Sequence, residues 1–167
     1  MEEEYEYRLA NENDISDIAL LEAQSFPEDE MASKETITKR QLEAGSYMLV
    51  VRSLKDNNLI GFVNGTLTTR NEIHHESMTN HEPNGQTLVI HSVTVNHKFR
   101  RNRIGTKMLL YYINKITIDQ IEVKKILLLT KEYLVNFYKS TGFEVIKLSD
   151  VEHGIDKWYE MSMNLIR

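Results

Sequence analysis

The sequence predicts a mixed α/β fold in one domain that spans residues 1–167. Two β-rich segments, 87–95 and 125–129, flank a helical pattern from 103 to 118. Strand, helix and strand in this order indicate a right-handed parallel crossover. A chain of 167 residues can bury one core without covalent staples, which agrees with the absence of cysteine.

The first 45 residues predict one strand and two helices. Residues 5–9 alternate as a short strand, and Asn13-Asp14 offers a cap for the first helix, which Pro27 ends. A second helix is expected between the hydroxyl cap Ser33 and Gly45. Apolar residues recur at roughly helical spacing at Ile15, Ile18, Leu21 and Phe26, and then at Ile37 and Leu42.

A β-hairpin and a loop are expected next. The apolar runs 47–51 and 59–63 predict its two strands, with the turn at 56–58 and the second strand running on towards Arg70. The polar stretch 71–85 predicts a loop that includes a turn of helix.

The second half predicts a helix between buried strands, followed by a shorter helix and two strands. The long helix has its apolar stripe at Ile104, Met108, Tyr112 and Ile116. Thr130 offers a cap for the short helix, and Gly142 stands where a left-handed glycine ends one. Strands are expected at 143–146 and 158–165.

Composition narrows the class of protein. The net charge of −5 argues against a nucleic-acid partner and favours a cationic ligand. The acidic start does not resemble a signal peptide, and the apolar run 126–129 is too short to cross a bilayer. We therefore expect a cytoplasmic protein with no membrane partner. The oligomeric state, monomer or homodimer, is left open.

The segment from Val93 to Thr106 carries the clearest chemical signal. A β-rich strand runs into a basic loop with Arg100, Arg101 and Arg103, and the loop leads directly into a helix. Free N–H groups at a helix start, next to guanidinium groups, suit a diphosphate. The alternative is a solvated basic turn that only caps the helix.

This segment resembles the acetyl-CoA signature of the GNAT acetyltransferases, Arg/Gln-x-x-Gly-x-Gly/Ala, at Arg100–Gly105. Residues 90–95 resemble the strand before that signature, and 134–143 resemble the family's late Phe-Tyr-x-x-x-Gly-Phe block. A narrower resemblance, to the arylalkylamine and polyamine N-acetyltransferase branch, covers residues 26–33, 61–66 and 75–78. It implies the GNAT fold, a mixed sheet flanked by helices.

The resemblance implies acetyl-CoA as co-substrate. Backbone groups of the strand Val93, Thr94 and Val95 would hold the pantetheine arm. The diphosphate would lie on the loop and helix start formed by Arg100, Arg101, Asn102, Arg103, Ile104, Gly105 and Thr106. One departure stands out, because Arg103 replaces the first glycine of the signature and restricts both a positive φ and a close backbone approach.

The resemblance also suggests three catalytic residues, each with a structural alternative. His91 would relay the proton of the amine, although the position of a second family histidine is Val89 here. Tyr138 would lie near the cofactor sulfur as a general acid, or be a core tyrosine. Glu30 is the rival base, a site for the substrate cation, or a solvated charge.

The implied reaction is direct transfer of acetyl from acetyl-CoA to the primary amine of a small molecule, a polyamine or an arylalkylamine. The alternatives are a protein N-terminus or lysine as acceptor, and a CoA-binding module without catalysis. His74 and His75 do not have the spacing of a metal site, so no metal is expected.

Overall fold

The computed structural model describes residues 4–151 and 154–167, apart from the side chains of Arg101 and Asn102. Seven strands form one mixed sheet in the order β1-β2-β3-β4-β5-β7-β6. The strands are β1 (Tyr5–Leu9), β2 (Met48–Ser53), β3 (Leu59–Thr68), β4 (Thr87–Val95), β5 (Lys125–Thr130), β6 (Glu144–Leu148) and β7 (Tyr159–Asn164). The helices are α1 (Ile15–Ser25), α2 (Lys34–Ala44), α3 (Ile104–Asp119) and α4 (Val135–Ser140).

The chain forms two compact units. The first comprises Met1–Asn64 and Ser92–Tyr112, and the second comprises Gly65–His91 and Ile113–Arg167. None of the described helices combines the length and hydropathy that a bilayer span requires.

In the first unit, β1 and β3 pair with β2 on either side, both antiparallel. Helices α1 and α2 bury their apolar stripes against one face of these strands, which removes the largest apolar side chains from water. The resulting cluster contains Ala10, Ile15, Ile18, Leu21, Ile37, Met48, Val50, Leu59 and Phe62.

Strands β3 and β4 approach each other closely at Gly61. A Cβ atom at Gly61 would lie 2.7 Å from the carbonyl oxygen of Thr94, so only glycine permits this approach of β3 to β4.

A buried ion pair also stabilises the first unit. Asp14 is buried and accepts hydrogen bonds from Arg8 at 2.7 Å and Arg52 at 3.0 Å. Burial raises the pKa of Asp14, but the bonds from Arg8, the Asn11 N–H and Arg52 outweigh it and leave the pKa below its usual value.

In the second unit, β4 and β5 are parallel, with Thr87 opposite Lys125. Strand β7 pairs antiparallel with β5 and with β6. Ile73, Val89 and Leu127 form the buried cluster here, partly covered by Met78, Leu129 and Val151. The parallel pairing of β4 and β5, with α3 between them in sequence, confirms the predicted parallel connection.

Local signals in the sequence located most elements correctly. Strands β1 and β4 have the expected bounds, and the loop after β3 contains a 3-10 turn at His75–Met78. Ser33 caps α2, since its hydroxyl accepts the N–H of Thr36 at 3.1 Å. Gly142 has φ +108° and follows α4 with the predicted left-handed sense.

Helix α2 ends at Ala44 with Gly45 as its C-cap, as predicted, although Gly45 keeps α-helical φ and ψ. Three other predictions were wrong. The side chain of Asn11 rather than that of Asn13 or Asp14 caps the first helical turn, and the Asp14 carboxylate accepts from Arg8 and Arg52. Leu42 is 75% exposed, so it is not part of the buried stripe of α2. Thr130 ends β5 and donates to the Lys131 carbonyl, and a 3-10 turn (Glu132–Leu134) precedes α4.

Candidate active site

The basic loop before α3 has a defined backbone path in the first unit. Asn96 donates its N–H to the carbonyl of Ile60 at 2.7 Å, and its side chain accepts the N–H of Lys98 at 3.1 Å. A 3-10 turn then runs from His97 to Asn102. The side-chain amide of Asn96 starts this turn as an N-cap does, and so fixes where the loop leaves β4.

Arg103 takes the backbone conformation that suits glycine. Its φ is 57° and its ψ is 25°, in the left-handed region. A Cβ in this region crowds the following carbonyl, which costs roughly 1–2 kcal/mol. The sequence indicated that arginine would restrict a positive φ here. The structure shows that the chain adopts it nonetheless.

Helix α3 begins directly after this residue. The carbonyl of Arg103 accepts the N–H of Lys107 at 3.1 Å, so Ile104, Gly105 and Thr106 form the first turn. Their N–H groups have no acceptor within the helix and lie at its positive end. The left-handed turn therefore leads into a helix start of the kind that suits an anion, although the glycine of the signature is missing.

The arginines of the loop have different surroundings. The Nε of Arg100 donates to the carbonyl of Val95 at 3.2 Å, which holds that side chain against the end of β4. The backbones of Arg101 and Asn102 belong to the 3-10 turn, and their side chains lie outside the described residues.

The strand segment predicted to hold the pantetheine arm is the end of β4. Val95 is buried and Val93 is half-buried. Thr94 is buried, and its Oγ1 has no hydrogen-bond partner among the described residues. A buried hydroxyl without a partner is unfavourable, so this position suits a polar atom from a ligand or a water.

A buried carboxylate in α1, Glu22, holds the α1–α2 loop in place. Its Oε1 accepts the hydroxyl of Ser92 at 2.9 Å, and its Oε2 accepts the N–H of Ala32 at 2.8 Å. Partial burial lowers the pKa of Arg40, and the nearby charge of Glu22 partly opposes this effect, so that the pKa is about 10. Arg40 therefore remains charged at neutral pH and adds a counter-charge for Glu22.

Glu30 lies in the loop that Glu22 holds. Its N–H donates to the carbonyl of Pro27 at 2.9 Å within a tight turn, and the residue is only 5% exposed. The solvated-charge alternative for Glu30 was therefore wrong. A buried carboxylate carries a negative charge in a region of low dielectric constant, where its attraction for a cation is stronger than in water.

In the second unit, the imidazole of His91 contacts a hydroxyl. Its Nε2 and the Oγ1 of the buried Thr66 share a hydrogen bond of 2.7 Å. His91 is half-buried, so the ring is neither a surface group nor sealed in the core. Thr66 fixes the ring orientation, which a proton-relaying histidine requires.

Tyr138 lies in α4, also in the second unit. Its ring makes edge contacts with Phe137 and Phe143, with centroid distances of 5.0 and 5.9 Å. Burial raises the pKa of the Tyr138 phenol well above its usual 10, with a smaller contribution from Tyr133. The phenol is therefore protonated at neutral pH and can act as a hydrogen donor.

Three buried polar residues were not identified from the sequence as candidates for the site: Glu22, Thr66 and Asn64. Glu22 follows Ile18 by four residues and Ile15 by seven, so a carboxylate on the apolar stripe was a usable signal. Thr66 and Asn64 lie on strand β3, where the sequence does not indicate whether a polar side chain is buried or exposed. Within residues 4–151 and 154–167, no three His, Asp or Glu side chains are grouped to hold a metal ion.

Comparisons with known proteins agree with this architecture. Residues 12–165 match the Acetyltransferase (GNAT) domain family. Serotonin N-acetyltransferase of Mesocricetus auratus is 28% identical over 111 residues, which are 66% of this chain and 53% of that protein. The match thus spans about half the length of the curated relative.

Solved structures share the fold at low identity. The loading GNATL domain of CurA from Lyngbya majuscula has a TM-score of 0.86 and 15% identity, over 97% of this chain and 98% of that one. The NatC complex bound to Gag peptide and CoA has a TM-score of 0.78 and 16% identity, over 98% and 99%. The family match covers nearly the whole chain, and it gives one conclusion: the chain belongs to the GNAT acetyltransferase family.

Proposed function

We propose that the acceptor is the primary amine of a small molecule, an arylalkylamine or a polyamine. The observation that carries this proposal is the buried carboxylate of Glu30, in a loop fastened through the Glu22–Ala32 hydrogen bond. An alkylamine is a cation at neutral pH, with a pKa of about 10.4 for a lysine-like amine. A buried carboxylate attracts such a cation. The similarity to a serotonin N-acetyltransferase supports the same choice.

The co-substrate would be held by main-chain groups. The first turn of α3, at Ile104, Gly105 and Thr106, would bind the diphosphate, with charge from Arg100, Arg101 and Arg103 and further contact from Asn102. Backbone groups of Val93, Thr94 and Val95 would hold the pantetheine arm. Acetyl-CoA supplies the acetyl group as a thioester.

Two residues compete to remove the amine proton. Only the neutral amine attacks a carbonyl carbon, so a base must accept one proton. His91 is suited to this task because Thr66 orients its ring. Glu30 is the second candidate, and its burial equally suits it to hold the substrate cation.

Tyr138 would assist the departure of the cofactor sulfur. A thiol has a reference pKa of about 8.5, below that of any tyrosine, so full transfer from the phenol to a thiolate is uphill. The raised pKa of Tyr138 widens that gap. We therefore assign Tyr138 the role of a hydrogen-bond donor that stabilises negative charge on the leaving sulfur.

A protein acceptor is the second candidate. The NatC structure with a Gag peptide and CoA shares the fold. A peptide acceptor would use its backbone amides for recognition, whereas a small amine offers mainly its cation and its apolar body. A CoA-binding module without catalysis is the third.

The discriminating experiment is a substrate panel. The protein is incubated with acetyl-CoA and, separately, tyramine, phenethylamine, tryptamine, spermidine, putrescine or peptides with free N-termini, and thiol release is recorded. We expect turnover of small amines. Turnover of peptides alone would refute the proposal, and acetyl-CoA binding without any turnover would identify a non-catalytic module.

Variants then separate the two bases. We expect His91→Ala to lower kcat about 100-fold and to remove the acidic limb of the pH profile. Glu30→Gln serves as the matched test, and should raise KM more than it lowers kcat if Glu30 only binds the cation. The reverse pattern would assign the base to Glu30.

A further inference from the structure

Asn64, at the middle of β3, is the most unusual polar residue of the first unit. Its side chain is 0% exposed, and neither Oδ1 nor Nδ2 has a hydrogen-bond partner among the described residues. A buried amide left unpaired costs roughly 1–3 kcal/mol. Proteins rarely keep such a group unless a ligand or a water satisfies it.

Strand register places Asn64 on the face of the sheet that α1 and α2 cover. Residues two apart on a strand share a face, so Asn64 lies on the same side as Phe62. Phe62 packs with Ile18 and Ile37 of the two helices. Met48, directly opposite Asn64 on β2, belongs to the same cluster.

The α1–α2 loop covers that same cluster. Ala32, at the end of the loop, packs against it, and Glu22 accepts the Ala32 N–H. Glu30 is buried in this loop. The face that carries the unpaired amide is therefore the face over which the loop with the buried carboxylate closes.

The chemistry of this face selects one kind of group. A polyamine would carry a second ammonium group in addition to the amine that is acetylated. Beside Asn64 this ammonium would lose its hydration among apolar side chains, which is unfavourable. A neutral hydroxyl costs less to bury, and it can donate to Oδ1 or accept from Nδ2. An aromatic or aliphatic body would meanwhile contact the apolar residues.

We propose that Asn64 is a specificity-determining residue that hydrogen-bonds a neutral polar group, such as a ring hydroxyl, on an otherwise apolar amine acceptor. The inference rests on the proposed function, and it narrows the acceptor from amines in general to hydroxylated amines. It assigns no part in proton transfer to Asn64.

Two pairs of substrates that differ by one hydroxyl provide the test. They are tyramine with phenethylamine, and 5-hydroxytryptamine with tryptamine. We expect wild-type kcat/KM to favour the hydroxylated member of at least one pair by about 10- to 100-fold. Asn64→Leu keeps the branching of the side chain and removes both of its polar groups. It should reduce that preference to within about twofold by lowering kcat/KM for the hydroxylated amine alone.

Stability provides an independent readout. Because the Asn64 amide is unpaired without ligand, Asn64→Leu should melt at or above the wild-type temperature in the absence of substrate. A merely structural amide predicts the opposite, a lower melting temperature with an unchanged preference. Asn64→Val, which suits a strand, replaces Asn64→Leu if the leucine variant does not fold.

Phe62→Leu is the matched control on the same face of the same strand. It should lower the melting temperature and leave the hydroxyl preference unchanged, since it alters only packing. A preference that Phe62→Leu also abolishes, or that Asn64→Leu retains, overturns the role of Asn64. If the wild-type protein acetylates spermidine or putrescine but none of the four aromatic amines, this inference fails and the proposed function stands. If it acetylates no small amine at all, the proposed function fails as well.

Discussion

The left-handed backbone of Arg103 gives the sharpest test of the structure. At φ 57° any residue with a Cβ is strained, and glycine is not. Arg103→Gly and Arg103→Ala remove the same guanidinium, so a comparison of the two isolates the cost of the Cβ atom. We expect the glycine variant to be more stable than the alanine variant.

The magnitude follows from the conformation. The Cβ cost in the left-handed region is roughly 1–2 kcal/mol, and the greater unfolded-state freedom of glycine returns about 0.5–1 kcal/mol of it. The net preference for glycine is therefore about 1 kcal/mol. For a chain of 167 residues this corresponds to about 2–4 °C in melting temperature.

The assay is thermal and urea unfolding of both variants without acetyl-CoA. Asn57, with φ 60° in the turn between β2 and β3, supplies the control pair Asn57→Gly and Asn57→Ala, for which glycine should also be preferred. If glycine is preferred at 57 but alanine is equal or better at 103, Arg103 is not left-handed in solution. The backbone path from the basic loop into α3 would then be wrong.

Three further predictions concern single contacts. Gly61→Ala should cost about 2 kcal/mol in urea unfolding, because the new Cβ lies 2.7 Å from a carbonyl of β4, whereas Gly45→Ala, with 3.8 Å of room, should be near neutral. Asp14→Asn should cost about 3 kcal/mol, since it removes the carboxylate that Arg8 and the buried Arg52 share and leaves Arg52 paired with the exposed Asp17 alone. The stability difference between the wild type and Asp14→Asn should disappear as the pH falls from about 4 through the folded-state pKa of Asp14, which is lower than its usual value. Urea unfolding at a series of pH values measures this difference. A difference that does not change with pH would contradict the prediction. Tyr138→Phe should lower kcat for thiol release about 10- to 100-fold with acetyl-CoA affinity nearly unchanged, and unchanged kcat would remove its role as donor.

The sequence predicted those features that depend on neighbours along the chain. Helical periodicity identified α1 and α3, a hydroxyl three residues ahead of a free N–H identified the Ser33 cap, and glycine after α4 identified its end at Gly142. The basic loop and the helix start of the acetyl-CoA signature were visible for the same reason. They are consecutive residues.

Contacts between residues distant in sequence could not be predicted in this way. Nothing in the segment around Glu22 indicates that its carboxylate reaches Ser92, 70 residues away. Asp14 looked like a helix cap, yet Arg52 outcompetes the helix N–H groups for its oxygens.

What the sequence by itself determined is the family signature, the order of strands and helices along the chain, and the position of the helix start that follows the basic loop, because local spacing and turn chemistry encode them. Only the tertiary structure decided that Arg103 adopts a left-handed backbone, that Glu30 is buried, and that the buried amide of Asn64 has no partner in the part of the chain that the structure describes. The physical reason is that burial and backbone strain depend on which distant surfaces pack together, and one residue's chemistry does not specify its neighbours across a sheet.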